Sequence, residues 1–204
     1  MTHAVVYFAA LVALLVATTL TLSALLSPTW VSLSVIPPSG GTVTDTIGLF
    51  RRCHTSSPSS PSSATGKCAP FPDAARCRDD GSFCSMWRTA GFLMSFAFVV
   101  ELATVVGFFI IMAGGKVKRQ GGWKVLGGLL SAVGVVEVGA MAVVAYIYDH
   151  DQMFLVPGYR LDSSWLICLG SAGIAMLTGA GLVVSAVLLP PEDGYQLLSE
   201  PSGV

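Results

Sequence analysis

Four long apolar runs divide the chain, and each of them is free of Lys and Arg. A bilayer span needs about 20 mainly apolar residues, a length that every run reaches. The first run is longer than the apolar region of a signal peptide, about 7 to 15 residues, and no basic segment precedes it, so we predict that it is retained. The predicted helices of this single domain, 1–204, are Ala4–Leu26, Thr89–Gly115, Val125–Tyr148 and Ser163–Leu189, which leave a first loop at 27–88, a second loop at 149–162 and a tail at 190–204.

The composition agrees with a membrane protein. Hydrophobic residues make up 53% of the chain and charged residues 11%, with a mean hydropathy of +0.71. Ordinary soluble domains contain about 25% charged residues. The formal net charge of -1 provides no field that would attract nucleic acid, so we expect the bilayer, and not DNA or RNA, as the partner of this chain.

Basic residues predict the orientation of the helices. Lys116, Lys118, Arg119 and Lys124 crowd the short connection between the second and third runs. The positive-inside rule places this connection in the cytosol. We therefore predict a multi-pass protein with both termini cytosolic and the first loop outside, in the plasma membrane or, alternatively, in an endosomal or vacuolar membrane.

The first loop carries a pattern typical of strands. Apolar and Ser residues alternate from Trp30 to Ile36, the period of a half-buried strand. A Pro- and Gly-rich break follows at 37–41, and a second extended run, rich in Thr, Val and Ile, covers Thr42 to Phe50. This pattern predicts a small antiparallel sheet that rests on the helices.

Cysteines indicate an oxidising compartment. Cys53, Cys68, Cys77 and Cys84 all fall in the first loop, and no cysteine lies in a predicted cytosolic segment. Four cysteines allow three pairings, between which the residues alone do not decide. A zinc site made from His54 and these thiols is a weaker alternative, because the chain lacks the paired C-x-x-C spacing of such sites.

Several of these residues together resemble the W-GLW-C-C signature of the claudin and peripheral-myelin-protein superfamily, with Phe where the family usually has Trp. The resemblance implies an all-α membrane protein, a four-transmembrane helix bundle with a small disulfide-linked antiparallel extracellular β-sheet. It also implies a disulfide from Cys53 to Cys68, which leaves Cys77 to pair with Cys84. The matching positions are Trp30, Gly48, Leu49, Phe50, Cys53, Cys68 and, at the outer start of the second helix, Arg88.

Other positions refine this resemblance. Phe154 to Pro157, followed by Tyr159, is similar to the F-Y-x-P segment of claudin second loops. The Ser- and Pro-rich stretch Ser56 to Ser63 and the second cysteine pair depart from the pattern, and the stretch reads equally well as an O-glycosylated segment or a plain loop. With these departures the chain resembles most the fungal claudin-like proteins of the SUR and PalI type.

The family resemblance predicts a non-enzymatic protein that organises the cell surface or lateral membrane domains, in adhesion, a barrier or a cell-wall-linked role. Its partners are then itself or other membrane proteins, and no cofactor is expected. No G-x-S-x-G motif, phosphate loop or histidine cluster points to catalysis. The alternative is an accessory or pore-forming subunit of a proton or cation pathway, or a membrane component of ambient-pH signalling.

Glu101 and Glu137 are the carboxylates within the predicted spans, each near the middle of its helix. Intramembrane charge is costly and points to function. Consecutive helices are antiparallel, so the two groups are expected at similar depth, where a neutral or proton-sharing pair is favoured. The pair is either a proton- or ion-linked site or a packing element whose hydrogen bonds involve Ser131 or Thr104.

The tail and the small residues of the helices add two weaker predictions. Tyr195 to Leu198 resembles a tyrosine-based sorting signal, which would bind a sorting adaptor, and Ser202 to Val204 resembles a PDZ-binding end. Small residues permit close helix packing within the bundle or between copies. These residues are Gly128, Ala132, Ala140, Ser171, Ala175 and Gly179.

Overall fold

The computed structural model describes residues 2–36, 42–57, 65–155 and 157–188. Most of the Ser- and Pro-rich stretch and the tail motifs at Tyr195, Leu198 and 202–204 lie outside the described residues. Within the described part, the helices are α1 (Thr2–Leu26), α2 (Ala74–Asp79), α3 (Gly81–Ala113), α4 (Gly115–His150) and α5 (Ser163–Leu188). The strands are β1 (Val31–Val35), β2 (Thr42–Ile47), β3 (Arg51–Ser57), β4 (Thr65–Pro70) and β5 (Tyr159–Leu161).

Four of the helices, α1, α3, α4 and α5, are long and apolar enough to cross a membrane. Large apolar side chains cover the outward surface of the bundle, as Phe92, Val135 and Leu177 illustrate. Exposed apolar surface on this scale is costly in water and belongs in hydrocarbon. The protein is therefore a multi-pass membrane protein with four candidate membrane-spanning helices, as the apolar runs predict.

Two predicted boundaries are wrong by several residues. α3 begins at Gly81 instead of Thr89, so Arg88 lies two turns inside the helix and not at its start. The side chain of Asp80 caps α3 by accepting a hydrogen bond from the backbone N–H of Phe83 at 3.0 Å, and this bond lowers the pKa of Asp80. The segment predicted to connect the second and third spans is helical, since α4 begins at Gly115 directly after Gly114. Hydropathy marks the end of an apolar stretch, whereas polar residues such as Lys and Arg continue a helix readily.

The five strands form one antiparallel sheet in the order β4-β3-β2-β1-β5. The predicted second strand ends at Ile47, and the chain turns at 48–50 before β3. Burial along β1 decreases from Val31 to Val35 and does not alternate as predicted, because the strand starts against the helices and then leads away from them. β5 comes from the second loop and pairs with β1, so the sheet joins both loops into one unit, which we call the cap.

An aromatic core fills the space between the cap and the helices. Trp87 of α3 stacks on Phe83, with ring centroids 5.6 Å apart, and on Phe154 of the second loop at 6.2 Å. The ring of Phe71, which follows β4, meets Trp87 edge-on at 5.3 Å. Such aromatic pairs contribute about 0.5–1.5 kcal/mol beyond their area burial. The cap is thus packed onto the helices and is not a separate domain.

Candidate functional site

The Gly48-Leu49-Phe50 turn is the point where the cap meets the end of α1. The backbone N–H of Gly48 donates to the carbonyl of Arg51 at 2.8 Å, which closes the turn between β2 and β3. A Cβ atom at Gly48 would lie 2.6 Å from Cα of Pro28 and 2.8 Å from the carbonyl oxygen of Ser27. Only glycine permits this close approach of two backbones.

Two buried tryptophans fasten the turn and the neighbouring strand to the helices. The indole nitrogen of Trp30 donates to the carbonyl of Ala24 in α1 at 2.7 Å, and its backbone N–H donates to Ile47 at 3.0 Å. The indole nitrogen of Trp87 in α3 donates to the carbonyl of Leu49 at 3.2 Å. Both rings and the Leu49 side chain are buried. The motif residues therefore anchor the cap on two different helices.

Phe50, where the claudin pattern has Trp, is 47% exposed. Its ring lies beside Gly91 of α3, since a Cβ atom at Gly91 would be 3.2 Å from Cε1 of Phe50. The carbonyl of Phe50 accepts the backbone N–H of Phe71 at 3.0 Å. Phe50 thus covers the outside of the turn while its backbone joins the turn to the segment after β4.

Disulfides join Cys53 to Cys68 and Cys77 to Cys84, the pairing that the family resemblance implies. The first links directly opposed residues of β3 and β4, and the second links α2 to the first turn of α3. Because these four sulfurs are in disulfides, they do not provide thiolates for a zinc ion beside His54. The thiol of Cys168 is free and buried in α5, as expected for a small core residue.

A polar network that the sequence pattern did not predict links the two loops. Arg52 of β3 makes a bidentate contact with the buried carboxylate of Asp45, with Nε to Oδ1 at 3.0 Å and Nη2 to Oδ2 at 2.6 Å, and this hydrogen bonding raises the pKa of Arg52. The hydroxyl of Tyr159 donates to the same oxygen at 3.3 Å. Burial, followed by the charge of Asp45, raises the pKa of Tyr159. An Asp within a Thr- and Val-rich strand was the available signal for this network.

The bundle contains a buried polar cluster to which each of the four long helices contributes one side chain. Thr21 of α1 lies at its centre, with Oγ1 3.1 Å from Oε1 of Glu101 in α3 and 2.7 Å from Oε1 of Glu137 in α4. Oγ of Ser171 in α5 lies 2.6 Å from the same Thr21 oxygen. All four residues are buried. We call these residues the polar cluster.

The structure brings Glu101 and Glu137 together as predicted but corrects their hydrogen-bond partners. Thr104 and Ser131 donate to carbonyls of their own helices, at Val100 and Gly127, and take no part in the cluster. The hydroxyls of Thr21 and Ser171 are in the cluster instead. The signal that could have found them is weak, because hydroxyls in apolar helices usually bond to their own backbone.

The polar cluster is incompletely paired. The second carboxyl oxygens, Oε2 of Glu101 and Oε2 of Glu137, are buried and have no hydrogen-bond partner in the described part of the chain. Among the described residues, neither carboxyl forms an ion pair with Lys, Arg or His. The chemistry available here is that of oxygen atoms alone, which bind protons or hard cations.

No model of a known protein family matches the sequence, and a search of curated proteins finds no match. The architecture itself defines the class: four long apolar helices carry a small antiparallel sheet and two disulfides, an arrangement that fits a claudin-like four-helix fold.

Proposed function

We propose that this chain is a non-enzymatic, claudin-like protein that organises the cell surface or lateral domains of the plasma membrane. In this proposal the cap is extracellular and both termini are cytosolic. The supporting observation is the cap, a cross-linked sheet fixed to the helices by Trp30 and Trp87 that leaves an interaction surface free.

That surface has an edge and an apolar component. β4 is an edge strand of the sheet, and its residues 66–70 are all exposed. Edge strands recruit further strands through their unpaired backbone groups. Among the described residues outside the candidate spans, the exposed large apolar side chains are Val35, Ile36, Phe50 and Leu155, of which Ile36 is 76% and Leu155 66% exposed.

A rigid base suits an adhesive or organising surface because little ordering remains to be done when a partner binds. The Cys53–Cys68 disulfide and the Asp45–Arg52 pair hold the strands of the cap in one arrangement before any contact is made. The proposed partners are other copies of this chain or other membrane proteins in the same or an opposing membrane.

The test compares clustering and co-purification of two differently tagged copies in intact cells. We expect wild type to form lateral clusters and to recover tagged copies or a constant set of membrane neighbours. Ile36→Ser combined with Leu155→Ser should abolish this while surface delivery is retained. Thr55→Ala, at an exposed polar position of β3, is the matched control and should behave as wild type. Unchanged clustering in the double variant would refute the proposal.

One observation favours a second candidate function. The protein would then be an accessory or pore-forming subunit of a proton or cation pathway, or a membrane component of ambient-pH signalling. The polar cluster places two carboxyls and two hydroxyls in the interior of the bundle. Intramembrane ionisable residues commonly mark ion or proton routes. Flux measurements in liposomes distinguish this candidate from the organiser.

A further inference from the structure

We propose that the polar cluster is a binding site for an exchangeable proton, which the carboxyls of Glu101 and Glu137 share through Thr21 and which holds the four long helices together. The inference concerns occupancy of a site, not transport. It stands whether or not the protein conducts ions, and it does not depend on the organising role of the cap.

Counting hydrogens around Thr21 is the first step. A threonine hydroxyl has one hydrogen to donate and two lone pairs. Its oxygen lies 3.1 Å from Oε1 of Glu101, 2.7 Å from Oε1 of Glu137 and 3.1 Å from the carbonyl oxygen of Ala17. Thr21 can donate to one of these oxygens only. If both carboxyls were ionised, at least one carboxylate oxygen would face a lone pair of Thr21 Oγ1 at hydrogen-bonding distance, with no hydrogen between the two oxygens.

Ser171 does not remove this shortage. Its hydroxyl lies 3.0 Å from the carbonyl of Ala17, which only accepts, and 2.6 Å from Oγ1 of Thr21, and it is also in hydrogen-bonding reach of the Glu137 carboxyl. Ser171 has one hydrogen for these three oxygens, so the six oxygen–oxygen contacts of the cluster share two hydroxyl hydrogens. A proton on Glu101 or Glu137 supplies the missing donor, because a protonated carboxyl donates through its O–H.

The surroundings of the cluster also favour a bound proton over a second negative charge. Thirteen positions separate Glu101 from Arg88, and thirteen separate Glu137 from Lys124. At about 1.5 Å per residue each basic group is about 20 Å away along its helix. Within one turn of each cluster residue the sequence holds one other titratable side chain, the thiol of Cys168, which adds no positive charge.

The unpaired carboxyl oxygens favour the protonated form of the cluster. Oε2 of Glu101 and Oε2 of Glu137 are fully buried without a partner among the described residues. A buried carboxylate oxygen without a donor is costly, whereas the neutral acid is much less so. Release of the shared proton would therefore leave an uncompensated negative charge at the place where the four long helices contact one another. The packing around Thr21 would loosen because this charge is not stabilised there.

The test uses the full chain in nanodiscs and two readouts. Infrared spectroscopy at neutral pH should show the carbonyl band of a protonated carboxyl, which shifts in heavy water and is absent from the variant that combines Glu101→Gln with Glu137→Gln. Because the folded state binds a proton that unfolding releases, the wild-type melting temperature should fall as the pH rises. In the double variant this fall should be smaller, because the contribution of the shared proton is gone while other titrating groups such as Asp80 remain.

Single substitutions locate the site even if the double variant fails to fold. Thr21→Val should shift the carboxyl band, since it removes the shared hydroxyl. Thr18→Val is the matched control and should leave the band unchanged, because Thr18 is a buried threonine of the same helix whose hydroxyl donates to the carbonyl of Leu14 at 2.9 Å. Absence of a protonated-carboxyl band in folded wild type, or identical bands in the two Val variants, would overturn the proposal.

Discussion

The indole nitrogen of Trp87 donates a hydrogen bond to the carbonyl oxygen of Leu49 at 3.2 Å and so joins α3 to the turn of the cap. Trp87→Phe keeps an aromatic ring but removes the donor, which leaves a buried carbonyl unpaired at a cost of about 1–3 kcal/mol. We expect a lower melting temperature in detergent.

Trp165→Phe is the control for this prediction. The indole nitrogen of Trp165 is buried but has no hydrogen-bond partner among the described residues, so its removal breaks no bond. Equal losses of stability in the two variants would show that ring size, and not the bond to Leu49, matters.

Gly48→Ala should disrupt the cap, because the added Cβ would lie 2.6 Å from Cα of Pro28. The clash is with backbone, so the chain itself would have to move to relieve it. Overpacking of this kind costs about 1–3 kcal/mol. The measurement is surface delivery and thermal stability beside Gly66→Ala. A Cβ at Gly66 meets only the Thr55 hydroxyl at 3.7 Å, an ordinary contact. A tolerated Gly48→Ala would contradict the close approach.

Cys53→Ser should disorder the cap and reduce surface delivery while the four helices still insert. A bridge that closes a loop of about 15 residues stabilises a fold by on the order of 3 kcal/mol in the chain-entropy model. Mass mapping under non-reducing conditions should recover Cys53 linked to Cys68 from the wild type. Cys168→Ala, which removes a thiol without a disulfide, serves as the control. Free thiols at both positions in surface material would refute the prediction.

Protease added to intact cells should cut between Ser56 and Arg78 and spare the tail. The even number of candidate spans and the basic residues between the second and third of them predict this orientation. Epitope tags on the tail and in the first loop report the two sides, and permeabilised cells provide the comparison. Tail cleavage in intact cells would mean that the orientation is inverted.

Glu101→Gln combined with Glu137→Gln separates the organiser from the transporter. We expect no pH-dependent flux from the unmodified protein in liposomes and retained clustering in the double variant, because amides keep hydrogen bonding without charge. A reproducible current or proton uptake that disappears in the double variant would instead support the second candidate function.

Hydropathy and local pattern predicted much of the fold because they indicate whether each segment lies in lipid or in water. Four apolar runs gave four helices, and the Thr- and Val-rich stretch before Ile47 gave a strand. The start of α3 was missed because the polar turn from Gly81 is helical through capping by Asp80, which hydropathy does not register. β5 was missed because its three residues are too few to establish a period, and the bounds of β3 and β4 could not be predicted because these polar strands show no periodic apolar face.

The sequence by itself determined that this is a membrane protein, since apolar length and charge depletion depend on composition along the chain and on no distant contact. It also marked Glu101 and Glu137 as unusual. Only the tertiary structure decided that Thr21 and Ser171 complete the polar cluster and that Tyr159 reaches Asp45. Those contacts join residues far apart in the chain, and hydrogen bonds depend on distances and angles that helix packing sets.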